Sequence, residues 1–69
     1  MDNTTTAYEW GLKWALFHGA LEQDEDERYL TVESVMRDWD MKNPDILTDE
    51  QWEDVCYCVR DELTERTES

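Results

Sequence analysis

Carboxylates dominate the residues that could do chemistry in this 69-residue chain. Asp24, Glu25, Asp26 and Glu27 follow Glu22 and Gln23 in a run with no base. Glu50, Asp54, Asp61 and Glu65 recur at helical spacing further on, with Tyr57 filling the gap in the row. Residues three and four apart on a helix hold their Cβ atoms about 5–6 Å apart, so such a row is a line of closely spaced negative points. Like charges at that spacing repel and cost the helix a few tenths of a kcal/mol per pair. Its chemistry is the binding of something basic. Acid–base catalysis needs one carboxyl set apart by its surroundings, and these are too many and too exposed to single one out.

The other reactive types are isolated. His18 stands alone between apolar residues, and Ser34 and Ser69 have no matching His and Asp. Cys56 and Cys58 resemble a chelating pair, but residues two apart on a helix point about 200° away from each other and share no metal ion there. No Gly-rich phosphate loop is present. The expectation is a protein that is not an enzyme, with no metal and no cofactor.

Charge narrows the partners. Nineteen acids against six bases give a net charge of −13. Direct binding of DNA or RNA requires Lys and Arg to displace phosphate counterions, so it is not expected, and anionic lipid surfaces would repel the chain. The expected partner is a basic protein with a nucleic-acid-binding surface. MDNTTTAYEW lacks the basic and apolar regions of a secretory signal, and no window approaches the roughly 18 apolar residues of a membrane span. A cytoplasmic location is expected, in the host cell if the gene is phage-encoded.

Three helices must position these groups, in one all-α domain. Asn43-Pro44-Asp45 is a break, because Pro neither continues a helix nor allows helical geometry in the residue before it. Thr48, Gln51, Leu47 and Trp52 spell a capping box with a hydrophobic staple, opening a helix over about 49–66. Thr31, with Leu30 and Val35 as staple, repeats the scheme less completely and predicts a helix over 31–41. Thr6 and Glu9 stand in capping-box spacing and predict a first helix over 6–22. The acidic run 22–28 is then a linker and 42–47 a loop. Gly11 and Gly19 fall inside the first helix, where each costs up to about 1 kcal/mol against Ala, and close approach of another helix is the expected reason.

Placed at about 100° per residue, Trp52, Val55, Cys56, Val59 and Leu63 form one stripe of the third helix, and Val32, Val35, Met36 and Trp39 form one stripe of the second. The first helix has two: Trp10, Trp14, Phe17 and Leu21, and nearly opposite, Tyr8, Leu12, Ala15 and Leu16. Two short neighbours cannot cover both if they meet the helix on adjacent faces. The surplus predicts a homodimer, a hetero-complex, or a core wrapped around the first helix. Charge is distributed the opposite way, with −1 over residues 1–21 and −12 over 22–69.

In general character the acidic row resembles the small acidic proteins that mimic DNA, many of them phage inhibitors of host nucleases, repair enzymes, CRISPR complexes or polymerase. That resemblance implies an inhibitor of host defence or transcription that occupies a basic nucleic-acid site, with Glu50, Asp54, Tyr57, Asp61, Glu65 and Asp24–Glu27 as its binding residues. The alternative is a small acidic adaptor docking through Trp10, Trp14, Phe17, Leu21, Tyr8 and Leu12, with the acid serving solubility or adaptation to salt.

Overall fold

The computed structural model describes residues 2–68, and three helices carry the architecture: α1 (Asn3–Phe17), α2 (Glu25–Lys42) and α3 (Asp49–Glu68), with a single 3₁₀ turn at Ala20–Glu22. The fold is all-α, 84% helical, in a body of 33 × 19 × 19 Å.

α1 begins earlier than Thr6. The Asp2 carboxylate accepts the Thr4 N–H at 3.0 Å, and Asp is among the strongest N-caps, so Thr6 lies in the first turn and donates its hydroxyl to the Asp2 carbonyl at 3.3 Å. The helix also ends before residue 22. Gly19 takes a left-handed conformation (φ 79°), and the His18 and Gly19 N–H groups close the last turn on the Trp14 and Leu16 carbonyls, both at 3.0 Å. Gly19 is therefore a helix stop, not an interior glycine. Leu21 falls on the 3₁₀ turn and leaves the Trp10–Trp14–Phe17 stripe.

The acidic run is not a linker. Asp24 caps α2, its carboxylate accepting the Glu27 N–H at 2.9 Å, and Glu25, Asp26 and Glu27 form the first turn. Three acids there face the positive end of the helix dipole, which turns a local charge excess into a favourable start. Thr31, expected as the cap, sits mid-helix and donates its hydroxyl to Gln23 Oε1 at 2.7 Å, while Leu30 is exposed instead of stapling Val35. α2 ends where Asn43 returns both its backbone N–H and its Nδ2 to the Trp39 carbonyl, each at 2.9 Å, just before Pro44.

α3 starts as the sequence predicts. Gln51 N–H donates to Thr48 Oγ1 at 3.1 Å and Thr48 N–H donates to Gln51 Oε1 at 3.0 Å, a reciprocal box. Trp52 and Leu47 pack on the core, and the Trp52 indole donates to the Met36 carbonyl at 3.1 Å, tying α3 to α2.

The expected stripes of α2 and α3 are the core: Val32, Val35, Met36, Trp39, Val55, Cys56, Val59 and Leu63 are buried. On α1, by contrast, neither stripe is fully buried apart from Ala15 of the second. Ala15 forms a buried seam with Ala7 and Gly11, and their small size lets α2 and α3 both come close. Tyr8, Trp10, Leu12 and Leu16 flank the seam half-buried, so the core wraps around α1, and Phe17 is left in solvent.

Buried among these elements is one charge. Arg28 donates from Nε to the Ala20 carbonyl (3.0 Å), from Nη2 to the Gln23 carbonyl (3.0 Å) and from Nη1 to Thr64 Oγ1 (3.4 Å). Its fork satisfies carbonyls of the 3₁₀ turn and stitches that turn and α2 to α3.

Candidate functional site: the acidic faces of α3

α3 carries eight acids and two bases, and its core stripe fixes where they point. With Val55, Cys56, Val59 and Leu63 turned inward, Glu50, Asp54, Asp61 and Glu65 are all exposed. Asp54, Asp61 and Glu65 line a groove of about 610 Å³ between α3 and α1, together with Glu62 and with Tyr8 from α1. Glu50 lies outside that groove, at the start of the helix.

Tyr57 does not fill the row. It turns toward α2, where its ring stacks on Tyr29 (centroids 5.8 Å, planes 25° apart), and the Arg60 guanidinium lies 5.1 Å from Tyr57 and 5.8 Å from Tyr29. Glu25 and Asp26 border this second cleft. The helical start of α2 thus brings part of the acidic run beside α3, something a linker would not fix in place. Glu27 and Asp24 are exposed on the same first turn and cap. Two acid-edged clefts with tyrosine walls result, one on each side of α3.

The bases neutralise part of this surface, pairing Asp61 and Glu62 of the groove. Ion pairs join Arg37 to Glu33 (4.0 Å), Lys42 to Asp38 (3.3 Å), Arg60 to Asp61 (3.1 Å) and Arg66 to Glu62 (2.8 Å). Glu50, Asp54 and Glu65 make no ion pair among the described residues. The arrangement can hold cationic side chains: a Lys or Arg entering the α1–α3 groove meets carboxylates at the edge and a phenol ring in the wall, a cation–π partner. Burial raises the Tyr8 phenol above its ordinary value, with Glu62 adding to the effect, so Tyr8 stays neutral and able to donate. Tyr29 is pushed up to about 12, by burial first and then by the neighbouring Tyr57.

Sequence periodicity missed Glu62, Tyr8 and Tyr29 as members of these clefts. Tyr8 counted only as part of an apolar stripe, and Tyr29 stood at the edge of a linker; both places follow from packing between helices. The two cysteines separate as their spacing on a helix requires, Cys56 into the core and Cys58 to the surface near the groove. Burial pushes the Cys56 thiol up to about 12. Trp10 and Trp14 line the opposite, α1–α2 side of the molecule, where Lys42 lies 5.9 Å from the Trp10 ring. His18 is exposed beside Phe17. Among the described residues no helix is long and apolar enough to cross a membrane.

Against known proteins, no family model, no curated protein and no solved structure matches this chain.

Proposed function

We propose that this protein is a non-enzymatic inhibitor that mimics nucleic acid and occupies the basic nucleic-acid-binding site of another protein. The observation that carries the reading is the fixed acid of α3 and of the first turn of α2, held on packed helices around two tyrosine-walled clefts. A carboxylate on a rigid helix has already lost much of the freedom that a loop carboxylate would lose on binding. Basic grooves evolved for phosphates meet here a helix with eight acids against two bases, Arg60 and Arg66, each paired with a neighbouring carboxylate. Long-range attraction from a −13 chain would also speed encounter with such a site. Nucleases, CRISPR and restriction complexes, repair enzymes and transcription machinery are the target classes, and phages or mobile elements are the sources such inhibitors imply.

The test is capture on the immobilised protein from a bacterial lysate, identification of what is bound, and competition with duplex DNA and with RNA. The reading expects a nucleic-acid-binding protein that either competitor displaces and that the variant Glu50→Gln, Asp54→Asn, Asp61→Asn, Glu65→Gln fails to capture. Capture indifferent to both competitors and to the variant would overturn it.

The adaptor reading is favoured by a separate observation, the exposed Phe17, Leu30 and Met41. It predicts binding that persists in high salt, where electrostatic binding weakens.

A further inference from the structure

The three most exposed apolar side chains lie along α1 and α2, although Leu30 also borders the Tyr29–Tyr57 cleft. Phe17 is 74% exposed, Leu30 62% and Met41 81%. Leu30 and Met41 line the α1–α2 groove with the half-buried Trp10 and Trp14, and Phe17 continues the surface by packing edge-on against Trp14 at 5.3 Å. A contiguous aromatic patch of this kind is unusual on a small monomer and marks a contact surface.

Its charge differs from that of the rest of the chain. The groove lining contains two bases, Arg37 and Lys42, and one acid, Asp38, in a molecule whose net charge is −13. On the exposed side of α1, Glu9 and Lys13 stand one turn apart beside Trp10 and Trp14. Neither makes an ion pair among the described residues, and Lys13 instead lies 5.7 Å from the Trp14 ring. A free Lys among nineteen acids, one turn from a free Glu, is half of a self-complementary pattern. Two antiparallel copies of α1 related by a two-fold axis near residue 12 bring the Trp10 of each copy level with the Trp14 of the other, and Glu9 within about 3 Å along the axis of the other copy's Lys13, inside the reach of both side chains.

We infer that this face joins two copies of the chain, α1 against α1, in a two-fold dimer that leaves both α3 faces outward. A second copy fits better than a foreign protein because two −13 chains repel over their acidic faces, whereas this lining, with Arg37 paired to Glu33 and Lys42 to Asp38, is close to neutral and lies beside both halves of a self-complementary ion pair. The inference does not depend on what α3 binds, and salt separates the two: screening relieves repulsion between copies and strengthens the dimer, while it weakens an electrostatic contact with a basic target.

Sedimentation equilibrium of the whole chain at micromolar concentration, in low and high salt, tests it. The expected mass is twice the 8.3 kDa of one chain, with tighter association in high salt. Phe17→Lys with Met41→Lys, both at exposed positions, should leave the helical circular dichroism unchanged and raise the dissociation constant about thirtyfold or more, even though it lowers the net negative charge. Glu9→Lys and Lys13→Glu shift net charge in opposite directions, yet each should weaken the dimer, and the double exchange should restore it. A native chain that stays monomeric in both salts overturns the inference, as does a dimer indifferent to Phe17→Lys/Met41→Lys. Weakening by the single exchanges without rescue by the double overturns the two-fold pairing. A monomer that captures a foreign protein through Phe17 and Met41 decides for the adaptor instead.

Discussion

Gly11 and Met36 are in such close contact that a Cβ on Gly11 would lie 2.7 Å from Met36 Sδ, with Val59 Cγ2 a further 3.4 Å neighbour. Met36 is fully buried, so its thioether has little room to retreat. Gly11→Ala gains about 0.5–1 kcal/mol of helix preference but overpacks a filled core at a cost of about 1–3 kcal/mol. The expected net is a loss of about 1 kcal/mol in urea unfolding, with a larger loss for Gly11→Val. A gain in stability for Gly11→Ala would mean that α1 does not sit this close to α2.

Arg28 tests the stitching of the 3₁₀ turn. Arg28→Met keeps the apolar stem and removes the fork, leaving the half-buried Gln23 carbonyl without this donor and the buried Ala20 carbonyl with only the Gln23 N–H at 3.3 Å, at a total cost of about 1–3 kcal/mol. Arg28→Lys should recover little, since a single ammonium cannot span the same acceptors. Thermal melts of the two variants side by side give the comparison.

Helix starts can be ranked by their caps. Asp24→Ala and Thr48→Ala should each cost about 0.5–2 kcal/mol, and Asp24→Asn should be mild because Asn caps nearly as well. Thr31→Ala removes only one hydroxyl bond to Gln23 and should cost less than either. Equal losses at Asp24 and Thr31 in thermal denaturation would contradict the start of α2 at Glu25.

Alkali should destabilise the protein through two groups, the buried Cys56 and the half-buried Tyr29. Cys56 is raised from 9.0 to about 12 in the fold and Tyr29 from 10.0 to about 12. A raised folded value means the proton is held more tightly in the native state than in the unfolded one. That contribution is complete below pH 9 for Cys56 and below pH 10 for Tyr29, and drains away as pH climbs toward 12. Urea midpoints should therefore fall over this window, less steeply in Cys56→Val. In the native state at pH 8, a thiol reagent should label Cys58 alone; fast labelling of both thiols would contradict a buried Cys56.

Within the acid, position matters more than number. The α3 quadruple variant should lose target binding and keep its fold, slightly stabilised by relief of repulsion. Neutralising Glu25, Asp26 and Glu27 should weaken binding as well, because these charges are fixed on a helix, and should also destabilise α2 by removing their interaction with its dipole. Affinity measured on the identified target, beside thermal melts, separates the two effects.

What the sequence revealed depended on how local the cause was. The Thr48–Gln51 box and the stripes of α2 and α3 were legible because neighbours three and four residues apart create them. Asp24 and Glu27 have the same capping spacing, but five acids in six residues read as charge and hid a cap. α1 was read only in part: close approach at Gly11 was expected and holds, and Ala15 stood in a stripe, but Ala7, Gly11 and Ala15 have little hydrophobic weight, so periodicity drew attention to Trp10 and Trp14 on one side and Tyr8 and Leu12 on the other. The Tyr29–Tyr57 stack and the groove at Tyr8 come from contacts between helices, which no local spacing encodes.

The 33 Å length of the body has a consequence for any target. One turn of duplex DNA rises about 34–36 Å over roughly ten base pairs. On the proposed reading the protein is a ruler of one turn, and the pairing of α1 against α1 inferred above would offer two such footprints facing apart. Its natural competitors are then duplexes of about ten base pairs or more; a binding site that grips only two or three nucleotides would leave most of the acid in water, and should ignore this protein.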